Sequence, residues 1–436
     1  MLERREWRER LRLIAAALAV VAVLFAYAFF GSNGTLRFPL ITWGESYYAS
    51  LADGFLHGQL SMTHEASPEL AKLADPYVFE SRGDVPALWD ASYFGGKYYL
   101  YFSPVPVLLF FIPVRLIAGA YPSDALGTTF FAALSFLILV AAIRRARPLW
   151  ILLLGVGNVI PYVLIASMFY QVAIACAMTF TAAWAFALLR FHETRSTRWA
   201  IAMGAFLGLA IATRPNLAVL LLVQLLVLFR HRPASWLAVA APLLVIACAL
   251  GAYNYARFRS PTEFGVSYQI TRLPMHGRRV CSVCTPAEVV RLINGVKHYV
   301  LWPLAFHREF PFVGMQAHRL DPEVSYPGRP EPIAGVAFVT PIVLVGTILG
   351  GGRLARQAGR LPALLVLAGW LVLFALSSCW WVTARYTLDF LGLLMMGSIL
   401  CIEEAPPRVR WFCALLAVWS IAIGLLLPFS RLQLLH

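Results

Sequence analysis

Long apolar runs alternate with short arginine-bearing loops along this chain, and that alternation restricts it to a membrane-embedded helical fold. A helix that crosses the hydrocarbon core needs roughly 17–25 predominantly apolar residues. Apolar windows near that length occur at 13–31, 124–143, 149–167, 171–190, 199–213, 216–230, 234–253, 333–350, 361–380, 387–402 and 411–428. They predict an all-α polytopic protein with about eleven spans. The bilayer offers no water to unpaired backbone groups, so such runs become helices. The chain is 60% hydrophobic and only 13% charged, where a soluble domain is roughly one quarter charged. That much apolar surface does not fit one water-soluble core. Residues 1–436 therefore read as a single transmembrane domain, without internal repeats or low-complexity tracts.

The arginines set the expected orientation. Basic residues near helix ends favour the cytoplasm, counted over short loops. With the amino terminus inside, the inner loops hold Arg144, Arg145 and Arg147; Arg190, Arg195 and Arg198; Arg230 and Arg232; Arg353, Arg356 and Arg360; and Arg408 and Arg410. Every short basic loop then falls on one side of the inner or plasma membrane. Two long loops, 32–123 and 254–332, fall outside. The net charge of +14 does not point to nucleic acid, because the arginines flank apolar runs instead of forming one basic face. The arginine-rich stretch Met1 to Arg12 precedes an apolar run from Leu13 to Phe30. That run is longer than the apolar region of a signal peptide, so an uncleaved first helix is expected, although Ala26-Tyr27-Ala28 has the form of a cleavage site. Pro104 to Ala118 is apolar but short, with three prolines and Arg115. If it spanned, the loop at Arg144 would face outward, so it is expected to lie in the outer interface or to dip in and return.

This topology places several ionisable residues at one level. Glu45, Asp53, Asp90 and Lys97 belong to the first outer loop, and Glu263 and His298 to the second. Arg214 ends the fifth helix, and Arg385 and Asp389 begin the tenth. Charges near the bilayer are costly unless paired or functional. Tyr48, Leu51, Ala52, Phe55 and Leu56 recur at helical spacing after Glu45, which predicts an amphipathic helix with Glu45 on its apolar face. Each residue also has a plainer reading. Glu45 suits a helix N-terminus, Arg214 suits a headgroup contact, and Arg385 and Asp389 suit an i,i+4 pair. Asp90 suits a turn, and Asp53 and His57 suit a solvated face. Five cysteines lie in apolar runs. Cys281 and Cys284 form a C-x-x-C, which predicts a local disulfide or free thiols and at most half a zinc site. Gly204 and Gly208 suit close helix packing. No phosphate-binding loop, dinucleotide fingerprint, zinc-protease or nucleophile-elbow motif is present, so a cytoplasmic nucleotide-dependent reaction is not expected.

At these residues the chain resembles the GT-C superfamily of integral-membrane glycosyltransferases, which includes the protein O-mannosyltransferases and the lipid A aminoarabinose transferases. The resemblance rests on Glu45-Ser46-Tyr47-Tyr48 leading into an amphipathic helix, on Ser103-Pro104-Val105-Pro106-Val107-Leu108, on Gly208-Leu209-Ala210-Ile211-Ala212-Thr213-Arg214-Pro215, and on Arg385-Tyr386. Gly44 and Ser103 stand where the family usually carries an acidic residue and a histidine. The resemblance implies transfer of a sugar from a polyprenyl-phosphate carrier to an acceptor hydroxyl on a lipid, glycan or protein, at the extracytoplasmic face. It implies Glu45, or failing that Asp90, as general base, with Arg214 and Arg385 stabilising the departing phosphate. Lys97, Tyr48, Tyr386 and Asp53 are further substrate-binding candidates, and Tyr48, Trp89 and Trp381 are candidates for stacking on sugar rings. No cofactor is indicated, and a divalent metal is left open. A transporter, a lipid flippase or a non-catalytic relative is the alternative. Charges at interfacial height favour a transferase, and charges at the midplane favour transport.

Overall fold

The computed structural model describes every residue except Met1, 144–146, 230, 273–274, 278–282, 318–330, 357–359, 380 and 436. Its helices are α1 (Leu2–Gly31), α2 (Tyr47–Leu56), α3 (Phe79–Arg82), α4 (Ile112–Ala118), α5 (Asp124–Ala142), α6 (Pro148–Val156), α7 (Ile160–Leu164), α8 (Phe169–Thr194), α9 (Thr197–Thr213), α10 (Leu220–Leu228), α11 (Pro233–Phe258), α12 (Pro286–Leu301), α13 (Val336–Val339), α14 (Ile342–Arg356), α15 (Arg360–Ser377), α16 (Leu388–Glu403) and α17 (Pro407–Leu432). Among the described residues, seven helical stretches are long and apolar enough to cross a membrane: those of α1, α5, α8, α11, α15, α16 and α17. The other four predicted windows hold shorter or interrupted helices. The chain is thus a multi-pass membrane protein of almost wholly helical architecture.

The interruptions have local causes. The window 149–167 breaks at Gly157 and Asn158, between α6 and α7. The Asn158 amide donates to the carbonyl of Leu154 at 2.8 Å, and its oxygen accepts from the N–H of Ile160 at 2.7 Å. The hydroxyl groups of Tyr27 and Thr340 donate to the carbonyls of Gly155 and Gly157. A break at membrane depth is tolerated when such partners satisfy the exposed backbone. Helix α17 crosses so close to the break that a Cβ on Gly424 would lie 1.9 Å from the carbonyl oxygen of Val156. Gly204 does the same for α9 against α11, where a Cβ would meet the Val239 carbonyl oxygen at 2.0 Å. The window 216–230 opens with Pro215, which has no N–H to donate, and runs as a 3-10 turn before α10.

Charge pairing sorts the two ends of the bundle. At one end Arg147 pairs with Glu403 at 3.2 Å and Arg353 with Glu404 at 2.7 Å. Arg144, Arg145 and Arg230 lie outside the described residues. The long connections gather at the opposite end. There β1 (Leu40–Ile41) pairs with β4 (Tyr121–Pro122), β2 (Ser92–Phe94) with β3 (Lys97–Tyr99), and β6 (Val313–Ala317) lies between β5 (Leu304–Phe306) and β7 (Pro332–Ile333). Val107 to Ala118 is a short apolar helical stretch, below the length of the seven candidate spans. It forms a wide π-type turn, Val107–Phe111, followed by α4. Phe111 stacks on Tyr48 at 5.3 Å, while Leu116 and Ile117 remain exposed.

The two long connections bind each other. The Asp90 N–H donates to the Ile270 carbonyl at 2.9 Å, and the Ile270 N–H donates to the Ala91 carbonyl at 2.9 Å. The Ser92 hydroxyl donates to the Gly265 carbonyl at 2.8 Å, and the Arg82 guanidinium to the Thr271 carbonyl. Of the C-x-x-C, expected to form a local disulfide or to stay as free thiols, Cys281 lies outside the described residues and Cys284 is exposed; Cys379 is disulfide-bonded.

Asn158→Ala is expected to lower stability by about 1–3 kcal/mol, because it strands buried backbone groups at the α6–α7 break. The measurement is the midpoint of thermal unfolding in detergent. Gly351→Ala, where an added Cβ meets nothing within 4 Å, should leave the midpoint in place.

Candidate functional site

The polar cluster at the loop-bearing end centres on Tyr170, in the first turn of α8. Its hydroxyl donates to Oδ2 of Asp90, and the Arg385 guanidinium lies over its ring, 4.9 Å from the centroid. A carboxylate and a cation are thus held on one tyrosine. Gln269, from the second long connection, donates to Oδ1 of Asp90 at 3.1 Å. The Asp90 backbone has φ of 57°, a left-handed conformation that aspartate adopts more readily than most residues. Such conformations persist where surroundings over-determine them. Here the surroundings are the two bonds to Ile270 and Ala91 already described and the Tyr47 hydroxyl, which donates to the carbonyl of Trp89. Burial pushes the Asp90 carboxyl up from its ordinary value, against the opposing effect of the Tyr170 hydroxyl, Arg385 and the Gln269 amide.

Arg385 precedes α16 in a short 3-10 turn and pairs with Glu331 at 2.7 Å. The same carboxylate oxygen accepts the Thr383 hydroxyl at 2.6 Å. Tyr386 lies between two arginines: Arg385 is 5.5 Å from its ring centroid and Arg214 is 4.8 Å away. Arg214 caps α9 and is buried. Its guanidinium donates to Oδ2 of Asp389 at 2.7 and 3.2 Å, and the Asn216 amide reaches the same oxygen at 3.2 Å. Asp389 is 1% exposed and its Oδ1 has no partner. The sequence-based pairing of Arg385 with Asp389 is therefore replaced by two separate pairs. The cause is that Asp389 faces the end of α9 while Arg385 faces β7. Arg431, in the last turn of α17, lies within electrostatic reach of both Arg385 and Glu331.

Several predicted site residues lie elsewhere. Glu45 is not on the buried face of an amphipathic helix. Ser46 is the N-cap of α2, so Glu45 falls in the preceding 3-10 turn. There its exposed carboxylate accepts from the Thr42 N–H at 2.9 Å and the Thr42 hydroxyl at 3.0 Å. Asp53 is not simply solvated, since it accepts the Tyr121 hydroxyl at 2.8 Å. Lys97 is exposed on β3, paired across from Phe94. Tyr48 is fully buried and offers no ring face to a ligand. Among the described residues, no three His, Cys, Asp or Glu side chains converge as metal ligands. Apart from this cluster, an open groove of about 630 Å³ runs between the β5–β6 hairpin and the end of α17, lined by Phe306, His307, Glu309, Phe310, Ser430 and Gln433 among others.

Sequence reasoning did not find Tyr170, Gln269, Glu331, Asn216 or Arg431. Tyr170 carried the one available signal, a polar-tipped aromatic at the outer end of a predicted span.

Fold and site together define a multi-pass membrane protein with a charged cluster at the helix ends. Its fold is similar to that of ArnT from Cupriavidus metallidurans, solved bound to undecaprenyl phosphate. The likeness has 13% identity and a TM-score of 0.47, covering 91% of this chain and 61% of that one. The chain thus spans about three fifths of that protein's length. No family model and no curated protein matches the chain.

Asp389→Ala is expected to destabilise the protein by about 3–5 kcal/mol, because it leaves Arg214 buried without a counter-charge. Replacing both, as Arg214→Met with Asp389→Leu, should recover much of that loss. Detergent melting curves of wild type and these two variants test it.

Proposed function

We propose that the chain is a membrane glycosyltransferase that moves a sugar from a polyprenyl-phosphate carrier to an acceptor hydroxyl. The observation that carries this reading is the Asp90–Tyr170–Arg385 arrangement. One ring holds a raised carboxyl for the acceptor proton and a fixed guanidinium for the departing phosphate. The motif resemblance at Arg214 and Arg385-Tyr386 supports the same reading.

In this reaction the acceptor oxygen forms a bond to the anomeric carbon. The bond from that carbon to the phosphate oxygen breaks, and its electron pair leaves with the lipid phosphate. The acceptor proton passes to Asp90. Burial makes Asp90 a stronger base than an ordinary carboxylate, while Tyr170 and Gln269 fix its oxygens. Negative charge grows on the phosphate as the bond breaks, and Arg385 stabilises it with little reorganisation. Arg214, neutralised by Asp389, acts as a positioning residue. It fixes Tyr386, and through Tyr386 the setting of Arg385. Glu45 serves as the cap of its own turn and takes no part in proton transfer.

The cluster is assigned to the extracytoplasmic face. The basic loops gather at the opposite end of the bundle, as the charge rule requires of a cytoplasmic end. Cys379 is disulfide-bonded four residues before Thr383, and disulfides persist in oxidising compartments. The competing reading is transport, and it is disfavoured because Asp90, Tyr170, Arg214 and Arg385 all sit in loops or at helix ends.

Asp90→Asn should lower turnover by about 10²–10⁴-fold, whereas Glu45→Gln should stay near wild type. Release of free lipid phosphate from a panel of polyprenyl-phosphate sugars measures both. Wild-type turnover in Asp90→Asn would remove the base assignment. Arg385→Ala should lose about 2–4 kcal/mol of transition-state stabilisation. The working base is the ionised carboxylate, so kcat/KM should fall as pH drops. Because the Asp90 carboxyl is raised, that fall should begin above the ordinary aspartate value of about 4. Gln269→Leu removes a bond to the ionised form and should move the acid limb further up. A limb that stays in place would exclude Asp90 as its source.

A further inference from the structure

Glu331 occupies an unusual position for a carboxylate that the proposed chemistry does not use. One of its oxygens accepts both a charged donor and a neutral one, the Arg385 guanidinium at 2.7 Å and the Thr383 hydroxyl at 2.6 Å. Arg431 adds a second positive charge within electrostatic reach. A cation and a hydroxyl meeting on one oxygen, with Arg431 held at longer range by its bond to the Tyr162 carbonyl, form a donor set suited to a phosphate oxygen. The site is otherwise incompletely used. The buried Nε of Arg385 has no hydrogen-bond partner, and Glu331 supplies one negative charge where a phosphate monoester brings up to two.

The position is also built to release the carboxylate. Glu331 immediately precedes β7, whose pairing with β6 joins Gln316 to Ile333 and Ala317 to Pro332. Its side chain is 38% exposed, against 17% for Arg385. The acid can therefore turn into water at small desolvation cost while the arginine stays in place. Asp389 shows the contrast. It is fully enclosed, it takes three hydrogen bonds on one oxygen, and its departure would strand Arg214.

We infer that Arg385, Thr383 and Arg431 form the binding site for the phosphate of the lipid carrier, and that Glu331 is an internal anion holding that site until the phosphate displaces it. This rests on the transferase reading and extends it. The carboxylate keeps Arg385 compensated when no donor is bound, and it competes with every phosphate ligand. The product, a lipid phosphate, meets the same competition, so Glu331 also favours its release.

The test is direct binding to purified full-length protein in detergent, with farnesyl phosphate as the probe and farnesol as the control. Removing the competing charge in Glu331→Gln should tighten farnesyl phosphate by roughly tenfold, within the usual range of coupling between competing ligands. Farnesol binding should not change. Glu331→Ala should behave the same way and serves if the glutamine variant does not fold. Thr383→Val should weaken farnesyl phosphate. Unchanged or weaker farnesyl phosphate binding in the Glu331 variants overturns the inference, as does equal tightening of farnesol. Those results leave the transferase reading standing. The transferase reading falls instead if wild type and all variants fail to bind farnesyl phosphate, with catalysis also absent from the donor panel.

Discussion

A guanidinium next to hydrocarbon must find a counter-charge or stay in water, and this requirement organises the whole loop-bearing end of the molecule. Arg214 and Asp389 meet it in the simplest way, as an enclosed pair between the end of α9 and the start of α16. Enclosure makes that pair an unlikely source of net stability, because desolvation offsets most of the attraction. Its effect is on geometry. Arg214 and Arg385 both lie against the Tyr386 ring, and Arg385 reaches on to Tyr170 and Glu331. Three carboxylates, those of Asp90, Asp389 and Glu331, thus balance three arginines, at positions 214, 385 and 431. The balance is made of unlike parts: one closed pair, one pair open to water, and one carboxylate held mainly by neutral donors.

That inequality separates structural charges from chemical ones. A carboxylate bonded only by neutral groups keeps its proton affinity, and burial raises it. Asp90 belongs to this kind, since its direct partners are Tyr170 and Gln269. Asp389 is instead enclosed, with Arg214 and Asn216 on one oxygen, and presents no open face to an acceptor. The ring of Tyr170 lets Arg385 remain close to Asp90 without forming the ion pair that would quench its basicity.

The membrane architecture was legible in the sequence because hydropathy and arginine placement are one-dimensional signals. All eleven apolar windows hold helix, and the described basic loops that carry ion pairs meet at one end. The interrupted windows were not legible. A break at Asn158 depends on Tyr27 and Thr340 supplying hydrogen bonds from helices far away in sequence. The site was half legible. Arg214, Arg385 and Tyr386 stood out at predicted helix ends, and Asp90 as a charge in the first outer loop. Glu45 was misplaced because helical periodicity was carried back past the true N-cap, Ser46, into a 3-10 turn where the α-helical spacing does not apply. Glu331 and Gln269 had no signal at all. Both come from the second long connection, which is brought over the first by backbone and side-chain bonds from Arg82, Asp90, Ala91 and Ser92 to residues 265–271.

The height of the cluster argues for its chemistry independently of any motif. A carrier with a polyprenyl tail and a phosphate head places its reactive bond at the headgroup level, because the phosphate cannot follow the tail into hydrocarbon. A protein acting on that bond must hold a cation at the same level, shield it from competing water and leave a route for a hydrophilic acceptor. Arg385 meets the first condition from a helix end, and the aromatic rings of Tyr170 and Tyr386 meet the second. The open side of the Arg385–Glu331 pair, where the Glu331 side chain is 38% exposed, suits the third. A transport pathway would require charges lining a route through the bundle, whereas Asp90, Tyr170, Arg214 and Arg385 lie in loops or at helix ends, the placement that the proposed transfer asks for.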